Sequence, residues 1–254
     1  MINKIIHFIW IDFNDELNKN TVIPKKYKEN IENCKRINIG FEIKIWNGFD
    51  CYNLIKKYFP KYVDMYNKLK YPVERCDIIR LMIMYVYGGV YSDVDRICIR
   101  SFDVLLKKYK KYNVILGKDN KKFTILNDFI MCSKNHPFIL ELIKNIKIYD
   151  IGIDYFNIYL STGPFYISIQ YYLYKNKKDI ILLHDEINPC NICNCTHNID
   201  KSITFSTFDS NWVDKYSLMV ILRKIYCKKY LIIIILLLMF IFLYCKNIFY
   251  KKSC

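Results

Sequence analysis

The 254-residue sequence lacks the marks of several protein classes. It has no helix-turn-helix, no paired-cysteine finger and no aromatic RNA-binding signature. Its net charge of +15, from 39 Lys and Arg against 24 Asp and Glu, is spread singly among Ile, Asn and Tyr, so no nucleic-acid partner is expected. No Pro/Ser-rich linker and no internal repeat is present, which excludes a string of tethered modules or a solenoid. The opening MINKIIHFIWID has only a short apolar run that ends in acidic residues, and a secretory leader is not expected. The eleven cysteines are accordingly expected to be reduced thiols in a cytosolic setting. Cys190, Cys193 and Cys195, near His184 and His197, form a zinc half-site, but a second separated Cys pair is missing. A structural metal and a Cys-rich surface loop both stay open there.

What is present is a chain with 53% hydrophobic residues, enough for one sizeable core. Residues 5–11 (IIHFIWI) read as a buried strand, 24–33 as a helix opened by Pro24, and 41–46 as a second strand. Strand, helix, strand argues for an α/β fold with a mostly parallel central sheet. A helix over residues 51–59 stops at Pro60, and a longer one is bounded by Pro72 and Gly88. Strands are expected at 114–116 and 125–131, and helices over 137–146 and 165–174, with an irregular stretch from 184 to 199.

The stretch 77–95, DIIRLMIMYVYGGVYSDVD, organises the rest. Its helix is apolar nearly all round, so Asp77 and Arg80, three apart and on one face, need a reason. Either they pair only with each other or they point together into a polar pocket. Beyond Gly88-Gly89 a short strand delivers Asp93 and Asp95, whose side chains share a side while Val94 turns back to the core. Two hard oxygen ligands at a strand end suit Mn²⁺ or Mg²⁺, which leave positions for water and substrate phosphates. Such an ion would neutralise charge building on a leaving nucleoside diphosphate.

The block PVERCDIIRLMIMYVYGGVYSDVD resembles the DXD-containing sugar-transferase domain of family 32 glycosyltransferases, the group of the initiating α-1,6-mannosyltransferases and inositol-phosphoceramide mannosyltransferases. Its D-x-x-R, Gly-Gly, Y-x-D-x-D layout is also similar to that of the glucosylating bacterial toxins. The resemblance implies a GT-A fold, a nucleotide-sugar donor, a divalent metal and retention of anomeric configuration. By position, Asp95 would ligate Mn²⁺, and Asp93 would contact the donor ribose and the metal's water shell. Asp77 and Arg80 would grip the transferred sugar. IIHFIW resembles the family's first strand, so Trp10 would stack on the nucleotide base with His7 beside it, and Tyr91 would wall the pocket. LNDFIMCSKNHPF would bring Asn127 or Asp128 to the acceptor side. STFDSNW matches the family's closing motif, with Ser206 and Thr207 where His is usual. Ser210 would be a third metal ligand and Trp212 would close the site. The expected donor is GDP-mannose, with a UDP-hexose as the alternative, and the expected acceptor a glycan or glycolipid.

Residues 230–245, YLIIIILLLMFIFLYC, carry no charge and are fenced by Lys228, Lys229 and Lys246. This run is read as a transmembrane anchor with snorkelling lysines. The expected layout is a transferase domain at 1–216, a basic juxtamembrane segment at 217–229, the anchor at 230–245 and a basic tail at 246–254, with the catalytic part in the cytosol. Two other readings remain: a catalytically weak transferase-like membrane or glycan-binding subunit, and a D-x-D phosphatase or phosphotransferase whose first Asp is the nucleophile.

Overall fold

Alternation along the first apolar run sets the layers: Ile6 and Phe8 join one core and Ile9 the other, on opposite faces of the strand. A computed structural model of the chain describes residues 1–12, 17–119, 124–189, 202–207 and 209, with single positions at 227, 228 and 233. All elements below lie in the compact unit Met1–Asp209. They are β1 (Ile5–Ile9), α1 (Lys25–Ile37), β2 (Glu42–Trp46), α2 (Gly48–Tyr58), a short 3-10 turn (Pro60–Tyr62) and α3 (Val63–Lys68). Then follow α4 (Pro72–Tyr87), β3 (Gly89–Ser92), β4 (Arg96–Cys98), α5 (Asp103–Lys108), β5 (Val114–Lys118) and β6 (Ile125–Cys132). The last are α6 (Pro137–Lys144), α7 (Asp154–Ser161), α8 (Pro164–Leu173), β7 (Ile180–Leu183) and β8 (Thr204–Ser206).

Six strands form one sheet in the order β2-β1-β3-β6-β5-β7. The β1/β2, β1/β3 and β5/β7 pairings are parallel, and β6 runs antiparallel to both of its neighbours, β3 and β5. The expected α/β architecture with a mostly parallel sheet is therefore present. On one face α4, with Ile78, Ile79, Met82 and Ile83, packs with residues of α2, α6 and α8. On the other, Phe8, Val90, Ile115, Phe129 and Met131 meet Ile31 of α1 and Phe102 and Leu105 beside and within α5. A separate two-stranded sheet pairs β4 with β8 antiparallel.

α4 starts with Pro72, whose missing N–H costs nothing in a first turn, and ends at Gly88, whose N–H still donates to Met84 O at 3.0 Å. Gly88 and Gly89 both have positive φ, 63° and 101°. A Cβ on Gly88 would fall 2.5 Å from Lys134 N, and one on Gly89 2.5 Å from Ile5 O. No other residue type fits either position, so the abrupt change from helix to central strand is encoded by these two glycines.

The cysteines depart from expectation. Cys34 of α1 is disulfide-bonded to Cys98 of β4, across a sequence separation of 64 residues, while Cys51 and Cys132 are buried free thiols. α1 lies along β4, which brings the two Cα atoms to 5.1 Å. A chain-entropy estimate for a loop of that length is about 4 kcal/mol. Among the described residues no helix is long and apolar enough to cross a membrane. The 230–245 run apart from Ile233, the Cys190, Cys193 and Cys195 group, His197, Ser210 and Trp212 lie outside the described residues.

His7, expected beside the nucleotide base, is instead a fully buried core ring. Trp46 Nε1–H donates to its Nδ1 at 3.1 Å, so the ring proton resides on Nε2, which faces Gly88 O at 2.9 Å. Burial, with a smaller contribution from Lys44, lowers its pKa to about 4.

Two outcomes follow from these contacts. An imidazole neutral in the fold and ordinary in the unfolded chain stabilises fully above about pH 6.5, and that contribution is lost as pH falls toward about 4. The loss amounts to about 3 kcal/mol, and urea titrations of a His7→Gln variant should show a correspondingly flatter stability profile over that window. Peptide mapping without reductant should recover Cys34 linked to Cys98. Cys34→Ala/Cys98→Ala should lose up to about 4 kcal/mol of stability, and an unchanged stability would argue against the bridge.

Candidate active site

The site begins where the apolar helix carries its charges. Arg80 Nη2 lies 2.9 Å from Asp77 Oδ1 and Nη1 3.3 Å from Asp93 Oδ1, and Nη1 donates to Asn127 O at 2.7 Å. Its guanidinium also covers the Tyr91 ring, 4.8 Å from the centroid. Asp77 accepts from Asn127 Nδ2 at 2.8 Å and from Thr162 Oγ1 at 3.0 Å. The pair thus joins a buried network that reaches the DXD turn, and does not pair only with itself. Asn127, expected on the acceptor side, bonds both Asp77 and Arg80. Tyr91 is buried, and its hydroxyl donates to Asp93 Oδ1.

The turn from β3 into β4 is shaped by its backbone. Asp93 N–H donates to Asp128 O at 2.9 Å and Arg96 N–H to Asp93 O at 3.1 Å. Arg96, wholly buried, places Nη1 2.6 Å from Asp128 Oδ2, donates to Ile187 O and lies over the Phe129 ring. Asp128 therefore faces the DXD turn, where Asn127 and Asp128, neighbours on a strand, point to opposite sides.

A third element closes on Asp95. Thr207 donates to Asp95 O through both N–H, at 3.1 Å, and Oγ1, at 2.9 Å, and Asp209 N–H donates to Asp95 Oδ2 at 3.2 Å. The Asp209 carboxylate accepts from Thr207 Oγ1 and Tyr27 OH, each at 3.0 Å, and pairs with Lys26. Thr207, standing where the family has His, serves as a clasp on the Asp95 backbone, and Ser206 belongs to β8 against Arg96. From α1, Asn30 Nδ2 donates to Val94 O and Asn33 Nδ2 to Cys98 O, both at 3.0 Å. Trp10 stands at the end of β1 with its ring 5.4 Å from that of Tyr27, an aromatic step beside the clasp.

Charge decides what this cluster accepts. Among the described residues, Asp77, Asp93, Asp95 and Asp128 face Arg80 and Arg96, and Lys26 near Asp95 is already paired with Asp209, which leaves two negative charges when all are ionised. Burial first, then Asp93 and Asp128, push Asp95 up to about 7, and burial pushes Asp77 to about the same value despite Arg80. Asp128 Oδ1 is buried without a hydrogen-bond partner. An oxygen-rich, under-compensated site of this kind fits a hard divalent cation. Among the described residues no three acidic, His or Cys groups converge as a complete ligand set, so such an ion would also need water, substrate oxygens or residues beyond those described. The phosphatase reading fails on topology: Asp93 follows the third strand, not the first, and it is bonded to Tyr91 and Arg80.

Lys26, Tyr27, Asn30, Thr162, Arg96 and Asp209 are site residues that sequence reasoning missed. Asp209 lies inside the STFDSNW motif and carried the one available signal; Lys26 is indistinguishable by pattern from the other lysines.

Comparison with known proteins places this geometry. Residues 24–112 match the family described as a glycosyltransferase sugar-binding region containing a DXD motif. The chain is 31% identical over 249 residues to an uncharacterized glycosyltransferase of Acanthamoeba polyphaga mimivirus, covering 92% of each chain. It is 34% identical over 177 residues to a mannosyl phosphorylinositol ceramide synthase of Saccharomyces cerevisiae, covering 69% of this chain and 43% of that one. It is 28% identical over 185 residues to an inositol phosphoceramide mannosyltransferase of Schizosaccharomyces pombe, covering 72% and 48%. The chain thus spans under half the length of those two yeast relatives. With the DXD turn, the D-x-x-R helix and a near full-length match in agreement, the chain belongs to the DXD-containing glycosyltransferases of family 32.

Proposed function

We propose that the chain is a membrane-bound hexosyltransferase that uses Mn²⁺ or Mg²⁺ and moves mannose from GDP-mannose to a glycolipid head group or glycan. A UDP-hexose is the alternative donor. The observation that carries this reading is the under-compensated carboxylate cluster around Asp93 and Asp95, with the unpartnered Asp128 Oδ1 at its edge. Asp93 and Asp95 would hold the ion, with Ser210 as the further ligand the family resemblance implies. When bound, the ion supplies positive charge against the leaving diphosphate. Arg80 adds a fixed, buried cation on the sugar side, and Asp77 and Asn127 orient hydroxyls of the hexose by hydrogen bonding. Trp10 and Tyr27 offer the base an aromatic face. With retention, the acceptor oxygen bonds the anomeric carbon on the face from which the diphosphate leaves, and its proton passes to the departing phosphate oxygen.

Residues 230–245 support attachment to a membrane. The Cys34–Cys98 bridge supports a catalytic unit facing oxidising surroundings in place of the cytosol expected from the cysteine count.

Three measurements test this reading. With Mn²⁺ and GDP or UDP both present in large excess over Kd, the protein should gain about 2 kcal/mol or more in thermal unfolding. Asp95→Asn should gain none and should lower transfer by about a hundredfold or more, since it removes charge from the ion's ligand. A parent that binds no nucleotide with metal would point to the transferase-like subunit. Asp209→Asn should loosen the hold on Asp95 and weaken Mn²⁺ affinity, read by electron paramagnetic resonance, by about tenfold.

A further inference from the structure

Nine of the seventeen exposed large apolar side chains among the described residues fall within residues 148–173. α8 explains why this is not scatter. Phe165, Ile169, Tyr172 and Leu173 lie at i, i+4, i+7 and i+8, one stripe on its outer face, with Leu173 71% exposed. Its inner face buries Tyr166 and Ile167 in the core, so the helix is apolar on both sides. Ile151 and Ile153, before α7, extend the exposed surface. A helix apolar all round is usually buried against something, yet Phe165, Ile169 and Leu173 on this side are exposed.

The rim identifies the occupant. Lys144, Lys147, Lys175 and Lys178 are exposed at the two ends of the segment. The two acids between them are engaged: Asp150 Oδ1 accepts from Gly152 N–H and Asn157 Nδ2, and Asp154 pairs with Lys70 and bonds Tyr71. Phe, Tyr, Ile and Leu within a lysine rim is the composition of a surface that seats in the interfacial layer of a bilayer containing anionic lipid. The turn between α7 and α8 also carries Thr162, which donates to Asp77 in the sugar-side cluster.

We propose that the α7–α8 surface docks on the membrane interface and thereby presents a lipid-linked acceptor to the sugar side of the site. The acceptor clause rests on the function proposed above; the docking does not require turnover. The full chain is placed in nanodiscs of brominated phosphatidylcholine and phosphatidylserine, and Ile169→Trp is compared with the exposed control Ile39→Trp, each against the parent. Lipid-dependent quenching and a blue shift at position 169, absent at 39, is the expected result. No quenching at 169 overturns the proposal. A blue-shifted signal at 169 that needs no lipid, the mark of a second copy or of the chain's own C-terminal segment on this face, also overturns it. Phe165→Ser/Leu173→Ser should raise the apparent KM for a vesicle-held acceptor by about tenfold or more and leave hydrolysis of the donor by water unchanged. A quenched protein with no transfer to any acceptor would sink the transferase reading and leave the docking intact.

Discussion

A guanidinium without solvent is the constraint on which this structure depends. Arg80 is 5% exposed in a helix otherwise devoted to packing, and a charge so placed is tolerated only when opposite charge and hydrogen-bond acceptors surround it. Asp77 on the same helix, Asp93 after β3 and the Asn127 carbonyl on β6 all meet that need. Three segments distant in sequence are thereby registered on one cation. Arg96 repeats the arrangement on the other side of β6, with Asp128 as its anion. The two arginines offset half of the four carboxylates, and the remainder sits just beyond the end of β3, where the function proposed above would bring a nucleoside diphosphate and its ion.

The route to that end is equally determined. A helix cannot turn directly into a central strand without a left-handed backbone, and the close approach of Ile5 O and Lys134 N leaves no volume for a side chain there. Gly88 and Gly89 answer both demands. The clasp from α1 and from residues 207 and 209 then holds the far side of the DXD turn, so Asp95 is fixed from a segment more than a hundred residues away.

These parts differ in how readable they are in the sequence. The D-x-x-R helix and the glycine pair are local patterns, each set by neighbours within a few residues, and they stand in the structure where spacing put them. Asp93 and Asp95 instead lie in a turn beyond β3, closed by Arg96 N–H to Asp93 O, and not on the extended strand that the spacing suggested. Lys26 meets Asp209 across 183 positions and Thr162 meets Asp77 across 85, and no periodicity records such meetings. The short strands β4 and β8 escaped for a related reason: three residues each, they exist by pairing with one another. His7 shows the opposite error. A histidine in an apolar strand beside a site tryptophan resembles a ligand-binding group, and only the hydrogen bonds from Trp46 and to Gly88 reveal a core residue. The disulfide was hidden by counting cysteines instead of placing them, because α1 and β4 become neighbours only in the fold.

The adjacency of Asn127 and Asp128 on β6 has a bearing on how this domain tolerates insertions and deletions. Asn127 meets Asp77 and Arg80 while Asp128 meets Arg96, so one residue gained or lost just before position 127 would exchange the two and disable both arginine networks together. The irregularity in the β5/β6 ladder, where Leu116 pairs with Ile130 and Lys118 with Ile125, spans Asn127 and Asp128. A bulge there re-aims side chains, so the directions of Asn127 and Asp128 depend on the irregularity itself. The stretch from Ile125 to Cys132 is therefore closed to change in length, since a residue gained or lost within it would move Asn127 or Asp128 off its arginine.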